Sequence, residues 1–322
     1  MKDFFNFAVC TLLALCTACS QSIEKQPITL TESLHDIEVL SDDHAIAYSY
    51  GSGQVYESRD GNISWTKLAS LDSLYLEQIQ FLNHKDGWLC GESGSLFSTS
   101  DGGTTWKNHN AKFPSEENKN LLFYGMLFLS EHEGYLSGME LNRAERKILK
   151  RFYHTRNGGE NWENISETLP LILLNIEAGK SNELWGSGAG IVHQPGQGEA
   201  WETVFKDSTS TVAQIRDMAF KDDLIIAVAF SGHAIRSVDY GKTWTTQQLT
   251  SNRIRKIAYI KDSYWIAVGD TNKEPGNMFI SHDDGLTWTT SEETLPDIHR
   301  ISLSDKYIWM VGKDGFSKRM PR

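Results

Sequence analysis

Alternation of apolar and polar positions recurs at seven places along this chain of 322 residues. The stretches lie at 36–40, 75–82, 122–129, 172–178, 213–220, 253–260 and 298–303. Each reads as a strand with one face buried. A second strand follows each of them, as at Leu224–Phe230. A turn motif, Ser/Thr-x-Asp/Asn-x-Gly-x-x-Trp, comes next in five of the units. Its copies carry Asp60, Asp101, Asn157, Asp239 and Asp283, and end on Trp65, Trp106, Trp162, Trp244 and Trp288. A decayed sixth copy ends on Trp201. Successive tryptophans are 41, 56, 39, 43 and 44 residues apart. A period of about 40–50 residues is that of a four-stranded propeller blade. The expected fold is all-β, a single seven-bladed β-propeller of four-stranded antiparallel blades, with an insertion in the third unit.

The motif has a physical reason. Asp or Asn before Gly is turn chemistry: the side chain accepts backbone N–H groups and Gly takes the positive φ. The tryptophan then buries a large ring between blades. The recurrent carboxylates are therefore read as holding the turn between third and fourth strands. That turn lies on the face opposite to the loops that usually bind.

The motif resembles the Asp-box, or bacterial neuraminidase repeat. The wider unit Gly87-Trp88-Leu89-Cys90-Gly91-Glu92-Ser93-Gly94 through Trp106 resembles the blade signature of the photosystem II stability/assembly factor family. Tyr264-Trp265-Ile266-Ala267-Val268-Gly269 and Tyr307-Ile308-Trp309-Met310-Val311-Gly312 repeat its second strand. The resemblance covers almost all of the chain after its first segment. It implies a non-catalytic binding scaffold that docks a membrane-protein partner during its maturation, with the partner itself unnamed.

The first residues form a different unit. Lys2 precedes an apolar run from Phe4 to Leu15, then Cys16-Thr17-Ala18-Cys19. The run is short for a permanent span, and small residues before Cys19 resemble a lipoprotein signal. Residues 1–18 are expected to be a signal peptide, Cys19 the lipidated residue, and 19–26 a tether, with 27–322 the propeller. A soluble, secreted or periplasmic protein is the alternative to a lipid-anchored one in the cell envelope, facing periplasm or exterior. Cys90 alone remains in the folded part, on a strand, and reads as a small buried apolar residue. Blade 7 lacks an outer strand beyond Phe316–Met320. The alternating segment Pro27–Glu32 is expected to supply it and close the ring.

The formal net charge of −11 argues against a general nucleic-acid binder. Aligning the first strands across blades places His35, Glu77, Tyr124, Leu174, Arg216, Arg255 and His299 at equivalent positions. Six of these are polar or carry a polar tip and should ring the upper channel mouth, fit for an anionic or polar ligand. The blade 3 insertion adds Arg143, Arg146, Lys147, Lys150 and Arg151 on the same face. It is expected to be a finger that grips an acidic protein, a lipid headgroup or a glycan, with Lys273 nearby. A monomer is expected.

Sialidases share these repeats, so a glycoside hydrolase using the same face is the second reading. Phe/Tyr-Arg-Ile-Pro is absent, however: the first arginine is Arg59, inside a turn motif. Other glycosidases on this fold need two carboxylates at a set separation, and Glu77 stands alone in the ring. No phosphate-binding Gly-x-x-x-x-Gly-Lys-Ser/Thr loop or His-Glu-x-x-His is present. No catalytic residue, metal or cofactor is expected.

Overall fold

The structure is a computed structural model describing residues 28–72, 75–109, 113, 120–209, 211–271 and 277–322. The expected signal segment and tether, with Cys19, and Lys273 lie outside these residues.

Seven antiparallel sheets follow one another along the chain, each meandering from the channel outward. Blade 1 comprises β1 (Leu34–Val39), β2 (Ala45–Ser49), β3 (Gln54–Ser58) and β4 (Thr66–Ser70). Blade 3 comprises Leu121–Phe128, Gly134–Asn142, Lys147–Thr155 and Glu163–Asn164, and blade 5 begins with Ile215–Lys221 and Leu224–Ala229. The other blades repeat this order. Innermost strands alternate because one face looks into the channel. Second strands are buried throughout, as in Leu224–Ala229, because a neighbouring blade covers each face.

Seven apolar clusters hold the ring together, and each joins two adjacent blades. Trp185 and Ile191 of blade 4, for example, pack against Met218, Ile225 and Ile235 of blade 5. The seventh cluster closes the circle: Trp309 and Val311 of blade 7 meet Leu34, Ile37 and Ala47 of blade 1. A buried ion pair, Arg300 with Asp36, spans the same seam.

The segment expected to close the ring is described only from Ile28 on. Among the described residues blade 7 has three strands, the outermost being Ser317–Pro321. Ile28 makes one bridge, to Trp65 of blade 1, its N–H donating at 2.8 Å. Ser317 is also tied to the blade 1 turn: its hydroxyl donates to Asn62 Oδ1 at 2.7 Å and accepts from Trp65 Nε1 at 3.1 Å. The N-terminal segment packs at the seam through Leu30. Gly315, at φ +75°, lies where a Cβ would fall 2.1 Å from the Leu30 carbonyl.

Candidate functional site

The first strand of every blade carries one β-bulge at its upper end. Pairing with the second strand skips His35, Glu77, Leu174, Arg216, Arg255 and His299 in six blades. In blade 3 it skips Tyr124. A bulge frees one residue from the ladder and re-aims its side chain. The seven aligned sequence positions are thus the seven bulge residues, and all line one cavity of about 1100 Å³ at the upper end of the channel.

The next residue of each strand makes the floor. Arg300 Nη2 donates to Asp36 Oδ2 at 2.6 Å, and Asp36 also accepts the Ile37 and Ile79 N–H groups. Lys256 pairs with Asp217, which accepts the Ile257 N–H at 2.9 Å. Gln78 bridges to the Met126 backbone in both directions, at 2.9 and 2.7 Å. These bonds tie the first strands of neighbouring blades to one another around the channel. The space immediately beneath the mouth shrinks to about 40 Å³.

Charge in the mouth is unevenly compensated. Arg255 is held by Asp270, a residue 1 % exposed, through Nε at 2.5 Å and Nη2 at 3.2 Å. Glu77 lies 3.5 Å from His35 Nε2 and 3.9 Å from Arg216 Nη2. Burial would raise the Glu77 carboxyl, but His35 and the charges of Arg216 and Arg255 hold it below its usual value. Burial, with the charges of Arg255 and His35, pushes His299 down to about 4. It is neutral at pH 7, and Nδ1 lies 2.8 Å from the Leu34 carbonyl.

Aromatic rings complete the wall. The Phe230 ring lies 4.9, 5.3 and 5.5 Å from the guanidinium carbons of Arg216, Arg253 and Arg255. Across the cavity, Tyr50 stacks on His35 at 4.9 Å and lies 5.0 Å from Tyr75.

The blade 3 insertion is an extension of the second and third strands, paired without a break from Gly134↔Thr155 to Asn142↔Lys147. It stands beside the cavity, since Met139 lines the wall. Its charge is partly consumed. Arg151 Nη2 meets Glu140 at 2.7 Å, Lys150 donates to the Leu169 carbonyl, and Lys147 lies 3.3 Å from Glu145. Arg143 and Arg146 are exposed at the tip.

The turn motifs do what their chemistry implies. In blade 5, Asp239 Oδ1 accepts the Thr243 N–H at 2.8 Å and the Ser237 hydroxyl at 2.9 Å, while Oδ2 accepts the Thr243 hydroxyl at 2.7 Å. Trp244 Nε1 donates to the Gly241 carbonyl at 3.0 Å. Asp60, Asp101 and Asp283 repeat these bonds. Asn157, which has no second carboxylate oxygen, keeps the bonds from Thr155 and the Asn161 N–H. The Thr243 and Thr287 bonds pull Asp239 and Asp283 down to about 2.

The family model for the photosynthesis system II assembly factor YCF48 matches residues 67–261. This chain belongs to that family. The photosystem II assembly lipoprotein Ycf48 of Synechococcus sp. (strain CC9902) is 26 % identical over 190 residues, covering 57 % of this chain and 53 % of that protein. The chloroplastic photosystem II stability/assembly factor HCF136 of Arabidopsis thaliana is 28 % identical over 128 residues, covering 38 % and 29 %. The matches thus span about half or less of these relatives. Among solved structures, YCF48 bound to a D1 peptide superimposes with a TM-score of 0.67 at 19 % identity, over 93 % of this chain and 96 % of that one. YCF48 from Cyanidioschyzon merolae gives 0.67 at 17 %, over 92 % and 98 %.

Four features of this YCF48-family mouth were not found by aligning innermost strands: Tyr50, Tyr75, Phe230 and Asp270. Tyr50, Phe230 and Asp270 follow second strands, where no fixed period marks them, and Tyr75 stands just before the observed strand Leu76–Phe81. Asp207 also lines the cavity, but four donors from Thr209, Thr211 and Val212 bind its carboxylate. Glu77 and Asp207 are the carboxylates among the described lining residues. One lies between His35 and Arg216, at 3.5 and 3.9 Å, and the other is bound by its own loop.

Proposed function

We propose that this protein is a non-catalytic assembly scaffold that docks a protein partner through its upper face, held at a membrane by a lipid on Cys19. One observation carries the reading: seven bulges, one per blade, aim seven side chains into a single cavity. At about 1100 Å³ the cavity lies at the upper end of the small-molecule range and has room for a segment of polypeptide. The bulge residues, the Tyr50 side and the basic hairpin with Arg143 and Arg146 would share the contact. The D1 peptide bound by a YCF48 of the same fold supports a peptide ligand here. The lipoprotein name of the Synechococcus relative supports the anchor.

The test compares the two faces in cells. A photo-cross-linking residue is placed at Met139, on the cavity wall, or at Ile63, 83 % exposed in a turn motif. The expected result is a discrete adduct from Met139 and none from Ile63. Adducts from Ile63 alone would overturn the upper-face assignment. Labelling with a fatty acid, lost in Cys19→Ser, checks the anchor.

A further inference from the structure

Two walls of the upper cavity offer chemistry of opposite kinds. On one side stands Arg216. Its guanidinium lies between the Phe230 ring at 4.9 Å and the Tyr124 ring at 5.9 Å. Its side chain is 19 % exposed, and burial lowers its pKa. Glu77 is 3.9 Å away, beyond hydrogen-bond reach. Among the described residues no acceptor meets its N–H groups. Arg255 and Arg300 differ sharply, each being gripped by a buried aspartate. A guanidinium fixed between rings, with its one carboxylate neighbour too far to accept a hydrogen bond, keeps its N–H fork available for a planar anion, above all a carboxylate.

On the other side stand Tyr50 and Tyr75, 41 % and 43 % exposed and 5.0 Å apart. Exposed neighbouring rings at the rim of a cavity are a contact surface: they offer apolar area at little cost in rotamer entropy. The two walls are linked through His35, which stacks under Tyr50 and contacts Glu77.

We infer that the cavity recognises its peptide at two points, an aromatic side chain on the Tyr50–Tyr75 shelf and a carboxylate on Arg216. This deepens the docking reading above and rests on it. The occupant is an acidic, aromatic-bearing stretch of protein. Charge complementarity at Arg216 and the exposed shelf select it over a uniformly acidic or uniformly apolar one.

The probe is a set of capped Gly/Ser octapeptides carrying Phe and Asp with one to four residues between them. Control peptides replace Phe by Ala, Asp by Asn, or both. Binding to the full chain is measured by calorimetry. At the best spacing, each single replacement should weaken binding about tenfold. In Tyr50→Ala with Tyr75→Ala the advantage of Phe should vanish while that of Asp stays. In Arg216→Gln the converse should hold. Melting temperatures near the parent's establish that the variants are folded. A Phe advantage that survives loss of both tyrosines, or an Asp advantage that survives loss of Arg216, overturns the two-point inference but leaves docking intact. Failure of all spacings to bind overturns the inference, and cross-links from Met139 then decide separately whether the upper face docks anything.

Discussion

The two ends of this propeller are built from the same repeat by opposite rules. At the turn-motif end, four blades present the same carboxylate making the same bonds: Asp60, Asp101, Asp239 and Asp283 each accept a hydroxyl four residues on. At the mouth, the equivalent bulge position holds His, Glu, Tyr, Leu, Arg, Arg and His. Backbone geometry is repeated at both ends, but side-chain chemistry is repeated at only one. A side chain that must satisfy its own turn has one good solution, so it recurs. A side chain freed from the ladder by a bulge is constrained by what it meets in the cavity, so it diverges. Repetition within this chain therefore marks stability, and variation at an equivalent site is what the docking proposal requires of recognition.

Between the ends lies the charged floor, where the largest stability effect is expected. Arg300→Leu would strand Asp36, 1 % exposed, without its cation. Breaking a buried pair from one side costs about 3–5 kcal/mol, to be read from chemical denaturation. A smaller loss would mean the floor is wetter than its geometry implies.

Acid gives the next effect. His299 titrates near 4 in the fold against an ordinary value of 6.5. The unfolded chain then binds more protons than the native one between those values. Its contribution to stability is complete above pH 6.5 and is lost as pH falls toward 4, on the order of 1–3 kcal/mol. Melting curves from pH 7 to pH 4 should flatten in His299→Gln relative to the parent.

Asp239→Ala removes one of several like turns and should cost about 1–2 kcal/mol, with partner capture unchanged. Arg216→Gln should cost less, about 1 kcal/mol, because its N–H groups have no hydrogen-bond acceptor among the described residues and Glu77, 3.9 Å away, keeps its His35 contact, yet it should lose the partner.

Much of this was legible in the chain. Turn motifs and strand alternation gave seven blades and placed the first strands nearly to the residue, because periodicity and Asx-Gly chemistry are local. Aligning those strands also found the mouth residues. The bulges themselves were not visible, since skipping one residue leaves no mark in an alternating pattern. The partial loss of charge on the hairpin was hidden too: Glu140 comes beside Arg151 only when Gly134–Asn142 and Lys147–Thr155 pair. The contacts at the blade 7 seam are equally non-local. Ile28 bridges to Trp65, and Asn62 and Trp65 hold Ser317, all from positions distant in sequence.

The separation of stability from recognition is tested most directly by one paired measurement. Asp239→Ala and Arg216→Gln are each purified from cells after cross-linking, and melting temperature and bound partner are read on the same preparations. The account predicts a crossed result: Asp239→Ala melts earlier and keeps the partner, while Arg216→Gln melts closer to the parent and loses it. An Arg216→Gln protein that retains the partner, or an Asp239→Ala protein that loses it while melting normally, would contradict the account.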